Sequence, residues 1–190
     1  TAAGGHVHYA TDAEDARRII LGICKKANAK RITKGKSMVS EEMSLNEALI
    51  GEGYEVVETD LGEYIIQLAD EPPSHIIAPA IHKTKDQAAD PFAAAHNKPR
   101  KTDRAELVAE AREVLREKYF TAEVGITGGN FLVAETGSSV IVTNEGNGDL
   151  TQTLAKVHIV TSGIERVIPS LDDLSVFLRI LARKIGRAHV

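Results

Sequence analysis

The feature that most constrains this chain is the alternation of helix-period segments with short apolar runs over its first two-thirds. Ala16, Ile19, Ile20 and Ile23 recur at helical spacing, with Arg17, Arg18, Lys25 and Lys26 opposite them. Asp12–Ala29 therefore reads as a helix capped by Asp12. Arg31–Lys36 follows as a short strand, and a helix starting at Ser40 ends at Gly51 and Gly53. Tyr54–Thr59 is a second strand, Asp60-Leu61-Gly62 a turn, and Glu63–Leu68 a short segment that is apolar on one side. After the break at Pro72-Pro73, His75–Pro79 reads as a buried strand and Lys83–Ala95 as a helix with a boundary or kink at Pro91. Thr102 or Asp103 caps a long helix reaching about Tyr119, with Leu107, Val108, Ala111, Val114 and Leu115 as its buried stripe.

The remainder is denser in strands. Val124–Thr127, Phe131–Ala134, Ser139–Thr143, Lys156–Thr161 and Ile164–Ile168 are strand candidates, and Leu171–Lys184 is a closing helix. Helices alternating with short apolar strands predict an α/β fold with a mostly parallel sheet flanked by helices. The strand-dense stretch adds an antiparallel edge. In such sheets ligands sit beyond the carboxyl ends of the strands.

Several function classes are excluded. The formal net charge of −4, with basic residues scattered, gives no footprint for nucleic acid. No apolar run approaches the roughly 20 residues of a membrane span, and no signal peptide opens the sequence, so the expected compartment is the cytoplasm. The one cysteine, Cys24, lies in an apolar run and reads as a small buried hydrophobe; one thiol cannot hold a four-thiolate cluster. His6 and His8 would share a strand face but lack a third ligand, and His75 and His82 are a poor pair, so no metal site is expected.

Four clusters carry candidate chemistry. Lys34–Glu42 stands at a strand-to-helix turn, where Gly35, Lys36, Ser37 and Ser40 serve either an anion site or a helix cap with a solvated basic strand end, and Glu41 beside them is a further candidate ligand-binding residue. Its glycine spacing is not that of a P-loop. Glu58, Asp60 and Glu63 place three carboxylates within six residues at a strand end. They fit an acid–base pair with split pKa values, a divalent-cation site, or a turn in which Asp60 caps a helix. His82 is a third candidate, as a general base at a strand end. The fourth cluster comprises three Gly- and Asn-rich turns: Gly125–Asn130, Ala134–Ser138 and Thr143–Gly148. Convergence of these turns would bring Thr127, Gly128, Asn130, Thr136, Asn144, Glu145 and Asn147 around Glu135, the best candidate for a catalytic carboxylate; hairpin turns are the competing explanation.

At these clusters the sequence becomes recognisable. Gly4-Gly5-His6-Val7-His8, Lys36–Glu42, Glu58–Leu68, Pro73–Ile77, Pro79–His82, Asn130–Gly137 and Thr143–Gly148 together resemble the lactate-utilisation protein B family of iron–sulfur proteins, over roughly residues 4 to 180. The resemblance implies a single lactate-utilisation domain over residues 1–190, with the fold of ribose-5-phosphate isomerase, glucosamine-6-phosphate deaminase and coenzyme A transferases. It implies a role in oxidising L-lactate to pyruvate beside the other subunits of a complex, with a small carboxylate as a ligand. It also implies two [4Fe–4S] clusters in a C-terminal ferredoxin-like segment of the full-length proteins, and none in this chain. On this reading the chain is a ligand-binding or subunit-docking module. The alternative is a stand-alone enzyme of the same fold using Glu135. Two positions depart from the family pattern: Gly129 stands where a small residue with a side chain is usual, and Asp149 where Arg is usual.

Overall fold

The computed structural model of the protein describes residues 4–71, 79–143 and 145–186. Its first helix, α1 (Ala13–Lys26), begins at Asp12, whose side chain accepts from the Asp15 backbone N–H. β1 (Arg31–Lys34) follows. The single helix expected from Ser40 is two: α2 (Met38–Glu42), capped by Ser37, and α3 (Leu45–Gly51). Ser44 separates them in the left-handed region, at φ 48°. β2 (Glu55–Glu58) leads through Asp60, which caps with its carboxylate, into α4 (Leu61–Ala69). α5 (Lys85–His96) opens with a Thr84–Gln87 capping box and carries Pro91 within it. α6 (Arg104–Thr121) is capped by Asp103. Its buried face is Leu107, Glu110, Ala111, Leu115 and Tyr119, while Val108 of the expected stripe is exposed. Residues 75–78 of the strand expected over His75–Pro79 lie outside the described residues.

β3 (Val124–Gly128), β4 (Phe131–Val133) and β5 (Ser138–Val140) come next. Then comes a helix that turn chemistry concealed, α7 (Asn147–Leu154). Gly146 at φ 77° precedes it, so the Gly-Asn-Gly run starts a helix instead of closing a hairpin. β6 (Val157–Thr161), a 3₁₀ turn at Ile164–Arg166, β7 (Val167–Ile168) and α8 (Leu171–Gly186) complete the order.

The main sheet has the order β2-β1-β3-β6 and every pairing in it is parallel. The antiparallel addition is the β4–β5 hairpin, which with β7, parallel to β4, makes a separate three-stranded sheet. One face of the main sheet buries Ile32, Val56, Val124 and Ile126 against Ile20 and Cys24 of α1 and Leu45 and Leu49 of α3. The other packs Val57 with Tyr64 of α4, Phe92 of α5, and Leu107, Ala111 and Leu115 of α6. Helices thus cover both faces, as a parallel sheet requires. On that second face α7 comes so close that a Cβ on Gly125 would lie 2.1 Å from the Thr151 carbonyl oxygen.

β2 is an edge strand, and α4 closes it. The Gln67 amide accepts from the Glu58 N–H (3.0 Å) and donates to the Val56 carbonyl (2.8 Å), satisfying the edge as a neighbouring strand would.

Candidate functional site: a buried acid–base cluster at the strand ends

The chain passes from β1 outward to β2, then crosses back to β3 on the far side of β1. This reversal puts the switch point of the sheet at the carboxyl ends of β1 and β3. Hydroxyls fill it. Thr161 Oγ1 lies 3.1 Å from Ser37 Oγ and 3.0 Å from Ser40 Oγ, and it donates to the Thr127 carbonyl. A Cβ on Gly128 would stand 3.2 Å from Ser37, so the bare glycine lets the β1–α2 loop close on β3. Ser37 is therefore a helix cap and part of a hydroxyl latch. Thr127 points its hydroxyl to His158 Nε2 at 2.8 Å; burial holds this imidazole below its ordinary pKa.

One strand away, the carboxyl ends of β1 and β2 hold ionisable groups. Lys34 and Glu58 are register partners on neighbouring strands. Each lies two residues past a core residue, Ile32 and Val56, so both side chains emerge on the α3 face. Lys34 Nζ meets Glu58 Oε1 at 2.7 Å, with side chains only 1% and 4% exposed. Asn46 of α3 donates to the same oxygen at 2.7 Å. Glu63, in the first turn of α4, is the third member, also buried. Burial pushes its carboxyl up to about 7, and the charges of Glu58 and Glu41 add to the push against Lys34 and Lys36. Three buried oxygens here, Glu58 Oε2, Glu63 Oε1 and Asn46 Oδ1, have no hydrogen-bond partner.

The remaining candidates divide. Asp60 holds the Gly62 and Glu63 N–H groups, so it fixes where Glu63 starts its helix. His82 is exposed and, with Lys83, engages Glu71. Glu135 is exposed; its carboxylate accepts from the Leu171 N–H and so caps α8. A carboxylate so placed lacks the desolvated setting that would favour a nucleophile or base. Thr136 organises the β4–β5 turn with Ser138. Asn130 ties its side chain to the Val142 N–H and its backbone to Val140. Glu145 is exposed, and the Asn147 carbonyl accepts from the Thr151 hydroxyl inside α7. Asn144 lies outside the described residues. The glycine-rich turns thus serve separate elements: Thr127 and Gly128 the main sheet, Asn130 and Thr136 the small one, Asn147 the start of α7. The two departures from the family pattern also have local settings. Asp149 accepts from the Thr143 hydroxyl in the first turn of α7, where a negative charge suits the helix end. A Cβ on Gly129 would meet only the tip of the Val160 side chain within 3.4 Å.

Asn46 escaped the sequence reading, because nothing in its local pattern pairs it with Glu58. Lys34 was legible in principle: a cation in same-face step with Ile32 needs a buried partner. The residues present do not suit an iron–sulfur cluster. The only thiol, Cys24, is fully buried, and burial pushes it up to about 11, where it stays protonated. Among the described residues no group of three or more His, Cys, Asp or Glu is placed to hold a metal ion.

Residues 1–189 match the LUD domain model throughout. The chain belongs to the LUD domain family. This LUD chain is 51% identical over 181 residues to Lactate utilization protein B of Bacillus subtilis (strain 168) and equally so to that of Bacillus licheniformis; identity to the Lysinibacillus sphaericus protein is 50%. Each match covers 95% of this chain and 38% of the relative, so the LUD chain spans well under half of their length. No solved structure matches it. Among its described residues no helix is long and apolar enough to cross a membrane.

Proposed function

We propose that the chain is the LUD module of a lactate-utilisation protein B, working in the cytoplasm in the oxidation of L-lactate to pyruvate. The observation that carries this is the identity of about half over 95% of the chain to proteins named for lactate utilisation. Electron transfer belongs, on this reading, to the part of the relatives that the chain does not span, with two [4Fe–4S] clusters there. The module contributes a small-carboxylate ligand site or a docking face for the other subunits. The setting of the chain's own groups supports a non-redox role: its thiol is buried and protonated, and its candidate catalytic carboxylate, Glu135, serves a helix cap.

Domain exchange tests the proposal. The matching 181 residues of the Bacillus subtilis protein are replaced by this chain, and growth on L-lactate as sole carbon source is followed. Growth near the parental rate is expected. A stable, iron-loaded chimaera that fails to grow would overturn the assignment.

A further inference from the structure

Three buried acceptors remain once the hydrogen bonds around the acid cluster are drawn. Glu58 commits Oε1 to Lys34 and Asn46, and its Oε2 is left over. Glu63 Oε1 and Asn46 Oδ1 are in the same condition. Glu58 is 3% exposed and Glu63 5%. Buried polar atoms in folded proteins nearly always have partners, so leftover atoms describe what would complete them. All three are oxygens; a neutral Glu63 supplies one proton of its own, and the group that completes the others must donate.

Charge narrows the donor. Lys34 and Lys36 already act on Glu63 from one side of the balance, and Glu58 and Glu41 from the other. An anion would meet the carboxylates of Glu58 and Glu41, whose push on Glu63 outweighs the pull of the two lysines, and any ion would lose its water beside these buried groups. An uncharged O–H donor meets neither penalty. The place is also right, since the cluster lies at the carboxyl ends of two parallel strands. Lys36, Asn46 and Asp60, neighbours of the cluster in sequence or by hydrogen bond, are only half-buried.

We propose that Glu58, Glu63 and Asn46 form a binding site for a small molecule held through its hydroxyl groups, donated to Glu58 Oε2, Glu63 Oε1 and Asn46 Oδ1. This inference rests on the cluster alone and does not depend on the lactate-utilisation reading. Neutral polyols have the required chemistry.

Backbone-amide NMR on the chain tests the site. D-ribose and erythritol are titrated to about 50 mM, a range that registers millimolar dissociation constants. Propionate, a carboxylate without a hydroxyl, is the control. At least one hydroxylated probe is expected to shift the Glu58 and Glu63 amides saturably, with propionate silent. Glu63→Met, which removes the acceptor and is uncharged, should weaken that binding at least about tenfold. Glu63→Gln keeps an acceptor oxygen and should bind within about threefold of the wild type. Asn46→Leu, at a half-buried helical position, gives a second loss-of-acceptor variant should Glu63→Met misfold. Silence with every hydroxylated probe, equal shifts with propionate, or undiminished binding in the acceptor-free variants would each overturn the site.

Discussion

Two buried glutamates in this protein carry opposite electrostatic signatures. Burial raises the Glu63 carboxyl from an ordinary 4.5 to about 7. Below pH 4.5 both folded and unfolded chains hold this proton. As pH rises toward 7, the unfolded chain has lost it and the folded chain has not, so stability falls through that window and levels off above it. Glu63→Gln removes the slope. It is expected to gain about 1–3 kcal/mol on the wild type between pH 5 and pH 8, measured by urea unfolding at each pH. Glu110 is the reverse case. Burial would push it up, but hydrogen bonds from His96 (2.7 Å) and an ion pair with Lys101 (2.9 Å) outweigh burial and hold it low. Its stabilisation is present above the ordinary carboxylate range and is lost as pH falls below it. Through His96 the network reaches the Tyr64 hydroxyl at 2.8 Å, joining α4, α5 and α6. Glu110→Gln should therefore cost about 2–4 kcal/mol at pH 7 and much less at pH 3. A Glu63→Gln curve parallel to the wild type would refute the buried, neutral carboxyl.

Among the elements, the tightest constraint is the approach of α7 to β3. An added Cβ at Gly125 meets Thr151 backbone at 2.1 and 3.1 Å, and neither atom can rotate away. Gly125→Ala is expected to destabilise by about 3 kcal/mol in denaturant unfolding. Gly22, exposed in mid-α1, has nothing within 4 Å of its Cβ position. Gly22→Ala should stabilise by about 0.5–1 kcal/mol. Equal effects at the two positions would mean that α7 does not rest on the strand. This contact also marks where the sequence stopped being legible. Periodic apolar residues placed α1, β1, β2, α6, β3 and β6 within a few residues, because those patterns report burial directly. α7 has no such stripe: Leu150 and Leu154 are exposed, and its buried residues are Gly148 and Thr151. A helix that packs through a glycine and a threonine shows nothing to a search for apolar period, and its Gly-Asn-Gly start has the composition of a hairpin turn. The same blindness applies to the site. Asp60 as a cap and Glu58 with Glu63 as an acidic pair could be read locally; Asn46 and the Thr161 latch depend on which strands become neighbours.

At the scale of the whole molecule, the structure divides into parts of unequal support. The four-stranded sheet is buried on both faces by two apolar clusters. The three-stranded sheet is short, and α8 leans on it, with Phe131 stacked on Phe177 at 5.2 Å. Val176, Phe177, Leu178 and Ile180 of α8 stay 38–58% exposed. Backbone hydrogen bonds gain protection from the burial around them, so the two parts should open with different free energies. Deuterium exchange of the 190-residue chain followed by mass spectrometry is expected to find the amides of β1 and β3 among the slowest, exchanging only on global unfolding. Those of α8 should exchange at least about a hundredfold faster, a gap of roughly 2.7 kcal/mol in opening free energy. Exchange of α8 as slow as β3 would mean that the small sheet and its helix unfold only with the main sheet, and that their exposed apolar side chains conceal a stronger coupling than the contacts display.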